Sequence, residues 1–397
     1  MARAIVIEIS LVNNGRTCLN ARMWKLQAHT TQVMWSLKVS WLSMMTPRIH
    51  SLVTNGTDDC IICCIDWFQL EQYDMFISDK MGLKRPAFSP NIMTLLKPLM
   101  VMDNYHGILA VLYDWLVIVG CTLSTNWLIR RNYYMGLLIY PISVLLIGVR
   151  MRALSLLLHE STHRTLAKSK ILNDILGSVF SGWCVLHSWS GYHHHHILFH
   201  HPHLGDPNKD PDYMEFNKTG LYSEGTTRVD VINYLKSIPT PRSTLMYACY
   251  LIKYRIYSET EKRFERILRL SFCIAMIGVL YQTGNMRNFV FYWVIPQLTT
   301  ANWVGIVAES FEHFPLLHKD VDELHASRNW ICGTIGSVLI NSHGEVYHLV
   351  HHLFPRMPHW NLTKAHEVLM EDENDRAVHQ CKVGFIAQLQ DILSHFD

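Results

Sequence analysis

Charged side chains are scarce in this chain of 397 residues: Asp, Glu, Lys and Arg together make up 17%, against roughly 25% in ordinary soluble domains. The net charge is only +2, which leaves no basic surplus for a nucleic-acid partner. Paired cysteine motifs are missing as well. Of the ten cysteines only Cys60, Cys63 and Cys64 cluster. No second CxxC half completes a zinc site, so free thiols in a reducing compartment are expected. The first thirty residues hold no uninterrupted apolar core, which argues against a secretory leader. No internal repeat is present, and the one low-complexity tract is His193–His196. What the chain has in quantity is apolar residues, 49%, yet its mean hydropathy is barely positive. Apolar stretches must therefore be offset by polar ones, a balance that favours a membrane protein.

Residues 1–100 show no sustained period and no motif with chemistry. Val33–Met45 and Ile61–Leu70 are apolar but too short to span a bilayer. This segment reads as a peripheral extension, with Met81 or Met93 as alternative starts of the protein. The apolar signal begins near Gly107. Ile108–Thr125 is interrupted only by Asp114, and Tyr133–Val149 follows after a short loop carrying Arg130 and Arg131. So short a connection predicts an antiparallel helical hairpin, with Pro141 as a candidate kink. Arg150, Arg152, Arg164, Lys168 and Lys170 follow it and place the next segment on the cytoplasmic side. Ile171–Trp189 is mixed in polarity and reads as in-plane or re-entrant. Leu245–Ile256 reads as interfacial. A second apolar pair, Ile267–Tyr281 and Phe289–Val307, is separated by a turn at Thr283–Asn288.

Three histidine clusters lie between and after these hairpins: His159-Glu-Ser-Thr-His163, His196-Ile-Leu-Phe-His200-His201 and His348-Leu-Val-His351-His352. The two-hairpin topology brings all three to one face of the membrane. Neutral imidazole is the commonest protein ligand for borderline transition metals. Residues four apart on a helix share a face, so His159 with His163, His196 with His200, and His348 with His352 can each reach one ion. Adjacent residues diverge by about a hundred degrees on a helix of 3.6 residues per turn. His201 beside His200, and His351 beside His352, can therefore serve two different metals. The first box alone also fits the HExxH signature of a zinc protease with Glu160 as base. That alternative leaves the other two boxes without a role, and Glu160 reads better as an orienter of a ligand imidazole.

The ordered set HxxxH, HxxxHH and HxxHH resembles the membrane fatty-acid desaturase family, which also holds hydroxylases and carotenoid ketolases. The likeness covers roughly residues 105–372. It extends to Gly205-Asp-Pro-Asn-Lys-Asp-Pro-Asp after the second box and His351-His-Leu-Phe-Pro-Arg-Met-Pro-His-Trp-Asn-Leu at the third. The resemblance implies two iron ions that activate dioxygen to remove hydrogen from an unactivated C–H bond; a second removal gives an alkene, hydroxyl transfer an alcohol. Such families often recruit one more histidine ahead of the last box, and His313 is the candidate, its alternative being a surface histidine. Asn341 and Glu345 stand where a further ligand or a hydrogen-bond partner would. Asp206, Asp210 and Asp212 either anchor box-two imidazoles or cap a Pro-rich turn. His193, His194, His195 and His203 include spares, and His318, His325, His343, His359 and His366 lack ligand spacing. Leu362–Met370 reads as a helix packed on the metal domain.

The expected protein is thus all-α and integral to the membrane, with two transmembrane helical hairpins capped by a cytoplasmic histidine-rich metal domain. Residues 1–100 form the extension, 101–372 the catalytic domain and 373–397 a tail. The expected ligands are His159, His163, His196, His200, His201, His313, His348, His351 and His352. The substrate is expected to be a lipid or fatty-acyl chain, with introduction of a double bond as the reaction and hydroxylation or ketolation as the alternative. Neither an HPGG heme motif nor a dinucleotide-binding glycine fingerprint is present in the sequence. A separate donor of ferredoxin or cytochrome b5 type is therefore expected to supply electrons.

Overall fold

The computed structural model describes residues 5–13, 16–25, 88–317, 321–331, 333, 336, 341–371 and 383–396. The chain divides into two compact units, Met1–Phe76 and Ile77–Asp397. The first contains an antiparallel pair of strands, β1 (Ile5–Asn13) and β2 (Arg16–Lys25), paired from Ile5 opposite Lys25 to Asn13 opposite Arg16 with a register shift between Leu11 and Val12. The all-α expectation therefore describes the second unit, whose described elements are all helical, and not this hairpin. The sequence between the strands, Asn14-Gly15, is a favoured pair for two-residue hairpin loops. Val33–Met45, Ile61–Leu70, Cys60, Cys63 and Cys64 lie outside the described residues.

The second unit begins with α1 (Pro90–Leu96), capped by Ser89, whose Oγ accepts from Ile92 N at 3.3 Å. Ile92 and Leu96 bury against Leu349, Val350, Leu353, Leu362, Ala365 and Leu369. Residues 90–96 thus belong to the core beneath the third box. The predicted hairpin follows as α2 (His106–Arg131) and α3 (Tyr133–Thr162). Asn132 alone connects them; its Oδ1 accepts from Met135 N at 3.2 Å and caps α3. The tight reversal needs Gly136, where a Cβ would stand 2.7 Å from the Ile129 backbone. Helix α3 runs through Pro141 without ending. These two are long and apolar enough to cross a membrane, by length and composition. Leu109, Leu112, Leu116, Leu123, Trp127, Tyr134 and Leu138 project outward from them, each more than half exposed.

Ile171–Trp189 forms no long helix: short α, π and 3-10 turns follow one another from Lys170 to Val185. The second apolar pair is helical as well. Its first member, α6 (Arg263–Gln282), carries Arg263, Glu265, Arg266 and Arg269 in its opening turns, which lowers its apolarity. Its second runs as alternating α and π turns from Met286 into α7 (Asn302–His313). The helix predicted at Leu362–Met370 is present and packs through Leu362, Ala365 and Leu369. The tail contains a helix that the sequence reading left out, Phe385–Leu393. Its Ile392 and Leu393 join Ala308, Phe311 and Phe314 in a common core.

One buried polar cluster ties the hairpin to the loop before the third box. Asp114 on α2 accepts from Arg150 Nη1 on α3 at 3.1 Å and contacts His343 Nε2 at 2.8 Å, while Arg150 Nη2 donates to Ser342 Oγ at 2.9 Å. Asp114 is fully buried. Removing its cation leaves an uncompensated buried carboxylate, which costs about 3 kcal/mol or more. Arg150→Met is therefore expected to lower the unfolding midpoint of the purified protein by several degrees in a fluorescence melt, and an unchanged midpoint would contradict the buried pair.

Candidate metal centre

The three boxes reach one place from different backbones. His159 lies in the last turn of α3 and His163 is its C-cap, so the four-residue spacing brings the two rings edge to face with centroids 4.7 Å apart. The second box follows α4 (Trp189–His195), capped by Ser188, whose Oγ accepts from Gly191 N at 2.9 Å. Here the helix widens: His196–His200 is a π turn. In that geometry the residue five along, not four, returns to the same face. His196 Nε2 accordingly lies 3.0 Å from His201 Nε2. His196 thus faces His201, and it also stands with His200, as expected, in a further set completed by Asp212 whose ligand atoms lie within 4.8 Å of one another. The third box opens α8 (His348–Leu353), where His348 and His352 Nε2 are 3.0 Å apart, as four-residue spacing predicts.

Two groups result. His159, His163, His196, His201 and His351 converge in one, and His200, His313, His348 and His352 in the other; within each, the ligand nitrogens all lie within 4.8 Å of one another. His351 Nε2 stands 3.3 Å from His201 Nε2, and His313 Nε2 stands 3.0 Å from His348 Nε2. Both adjacent pairs are split between the groups. Two imidazole nitrogens each about 2.1 Å from a shared ion sit about 3 Å apart, which is the spacing these rings adopt. His163 Nε2, His196 Nδ1 and His351 Nδ1 are buried without a hydrogen-bond partner. Both groups therefore fit metal ions in donor set and spacing, and the first also in the unsatisfied Nε2 of His163; imidazole suits iron, zinc, copper and nickel.

The outer nitrogens have their own partners. Asp210 Oδ1 accepts from His200 Nδ1 at 3.0 Å, and the same carboxylate caps helix α5 (Pro211–Asn217, before the Arg228–Ser237 helix) through Asp212 N and Tyr213 N. Asp210 therefore fills both roles between which the sequence left a choice. Asp206 caps only its own turn, through Asn208 N at 2.9 Å. Ala326 O accepts from His313 Nδ1 at 3.0 Å, and Glu312 lies 3.6 Å from His348 Nδ1. These contacts fix ring orientation and leave Nε2 as the lone-pair nitrogen of His200 and His313. Glu160 Oε2 accepts from Thr165 Oγ1 at 2.8 Å and from His359 N at 3.2 Å. It braces the segment after the third box, whereas a protease base would be turned to a metal-bound water.

Burial, reinforced by the neighbouring imidazoles, holds His163, His196, His201, His348 and His352 well below the ordinary histidine range, and burial pushes His351 down to about 3. These rings stay neutral and keep a lone pair for a cation. His200 differs: burial opposes its protonation, but the Asp210 charge and hydrogen bond outweigh that and raise it.

The other candidates lie elsewhere. His193 stacks on Trp189, His194 and His203 pack near Phe199, and His195 contacts Ser258 Oγ at 3.1 Å. Glu345 pairs with Arg152, and Asn341 Oδ1 is buried without a hydrogen-bond partner. His325 pairs with Asp322, His343 with Asp114, and His366 contacts Asn329; His318 lies outside the described residues. A cavity of about 440 Å³ borders both groups, lined in part by His159, His196, His200, His313, Tyr192 and Arg255.

The fatty acid desaturase family matches residues 135–382. A dihydrorhizobitoxine desaturase of Bradyrhizobium elkanii is 32% identical over 280 residues, 68% of this chain and 77% of the relative. An sn-1 acyl-lipid omega-3 desaturase (ferredoxin) of Nostoc sp. (strain 36) is 24% identical over 60% of this chain and 69% of its own length. An sn-1 oleoyl-lipid 12-desaturase of Anabaena variabilis is 22% identical over 59% and 70%. A histidine-rich oxidoreductase is the class that fold and centre define. This chain belongs to the fatty acid desaturase family.

The two-group arrangement predicts separable losses. Purified His201→Ala should retain metal only in the second group, and His352→Ala only in the first. Elemental analysis should therefore show each variant near half the wild-type content; full retention by both would contradict the grouping. Asp210→Asn should weaken metal retention by about tenfold or more, the usual effect of losing a carboxylate behind a ligand imidazole, measured by chelator competition.

Proposed function

We propose that this desaturase-type oxidoreductase introduces a carbon–carbon double bond into an aliphatic chain, foremost a fatty acyl chain, using two irons and dioxygen. The observation that carries the reading is the convergence of five and four buried imidazoles beside one shared cavity. The nine histidines named above would hold the irons, which when bound supply reductive activation of dioxygen. Removal of two hydrogens from the substrate balances half of the reduction of dioxygen to two waters, so two further electrons and two protons are required. A separate donor of ferredoxin or cytochrome b5 type would deliver the electrons; the Nostoc relative's name includes ferredoxin.

The protein's own groups contribute neutrality, orientation and exclusion of water. Burial keeps the ligand rings other than His200 unprotonated, Asp210 and Ala326 O fix two of them, and the cavity walls hold the chain beside the centre. Helices α2 and α3, with their outward leucines and tryptophan, are suited to a bilayer. Arg164, Lys168 and Lys170, just after α3, support a multi-pass arrangement with the boxes toward the cytoplasm. Desaturation is favoured over hydroxylation because the relatives described above are all named desaturases.

Expression in a host with a simple fatty-acid profile tests the acyl reading. Cells carrying the wild type should accumulate an unsaturated fatty acid that cells carrying His163→Ala lack, by gas chromatography of total lipid. Identical profiles from the two would reject acyl desaturation.

A further inference from the structure

We infer that the cavity beside the histidine groups takes a substrate with a free carboxylate, anchored by the guanidinium of Arg255. The inference rests on the proposed function for the identity of the site and adds the chemical class of its ligand. Arg255 lies in the π turn Ile252–Ile256 and is 5% exposed. One side of its fork is committed: Nη2 donates to Asp212 Oδ1 at 3.2 Å and to Tyr250 Oη at 2.9 Å. Tyr250 in turn donates to Asp212 at 2.6 Å, so those three groups satisfy one another. Nη1 is buried and has no hydrogen-bond partner. A charged donor left unsatisfied in a protein interior is costly, and Arg255 lines the cavity. An acceptor entering the cavity would complete the fork.

The position of Arg255 suits a substrate anchor. Its Cζ lies 4.2 Å over the Tyr192 ring. Tyr192 faces the metal centre, its centroid 5.5 Å from that of His196 and 6.1 Å from that of His159. One aromatic ring therefore separates the guanidinium from the first histidine group. The cavity volume, about 440 Å³, falls in the range that encloses small molecules. Planar guanidinium recognises carboxylate with directional, charge-assisted hydrogen bonds. A phosphate head group is a poorer match, since Asp212 already occupies the other half of the fork and would repel a dianion. Ester and thioester carbonyls are neutral and gain less from the charge.

The test is equilibrium binding to the full-length, metal-loaded protein by calorimetry, which needs no turnover. The probes are hexanoate, hexanamide and hexyl phosphate. Hexanoate is expected to bind at least tenfold more tightly than either of the others. Arg255→Gln should erase that preference and Arg255→Lys should keep part of it. Equal binding of hexanoate and hexanamide, tightest binding of hexyl phosphate, or an undiminished preference in Arg255→Gln would each overturn the assignment. If Arg255→Gln fails to fold, the wild-type discrimination and Arg255→Lys decide. Selective hexanoate binding without any unsaturated product would sustain the anchor and reject the proposed reaction; unsaturated product without carboxylate selectivity would do the reverse.

Discussion

Imidazole nitrogens 3 Å apart in a protein interior need something between them, a shared proton or a cation. Protonated rings would repel, and neutral rings turned lone pair to lone pair gain nothing from each other. His196 against His201 and His348 against both His313 and His352 stand at this distance. A cation between them changes the sign of the interaction, and much of the surrounding structure can be understood as holding the rings ready for one. Burial keeps them neutral, Asp210 and Ala326 O turn two of them, and the packed core beneath α8 fixes the third box. The same low-polarity setting that makes an unfilled arrangement costly makes a filled one strong.

The desaturase resemblance and the split of adjacent histidines were legible because helical angles follow from spacing alone. His159 with His163 and His348 with His352 lie as a regular helix requires. The contact of His196 with His201 was not legible, because a π turn is chosen by the packing around it and has no composition of its own. Asp210 posed a different difficulty. Its sequence fits both a helix cap and an imidazole anchor, and the structure uses one carboxylate for both. The helix Phe385–Leu393 escaped notice for want of length and an N-terminal capping side chain, its N-cap being Gly384. The β hairpin escaped because attention to apolar runs passes over Asn14-Gly15, although that pair is its signal.

Buried charge away from the histidines follows a single pattern. Asp114 with Arg150, Arg152 with Glu345, Asp212 with Arg255 and Glu261 with Arg269 each join parts of the chain that are not consecutive elements of one helix. Such pairs bring little net stability and much specificity of position. Arg269 also donates to the carbonyls of Leu186 and Ile256, so the second apolar pair and the turn leading to box two are held in a fixed relation. Arg255 and Arg152 each retain an unused donor, at Nη1 and Nε, and both line the cavity.

The two split pairs have a mechanical consequence. His200 and His201 have ring centroids 5.7 Å apart, and so do His351 and His352. Each pair spans the two groups through one peptide unit, whose length between successive Cα atoms is fixed at about 3.8 Å. The gap between the groups is therefore gauged twice by covalent bonds, independently of how well the helices around it pack. Thermal motion or a substituted core residue can move the whole centre, but it changes the span across it only by turning side chains. The chain carries its own ruler for the distance between two ions.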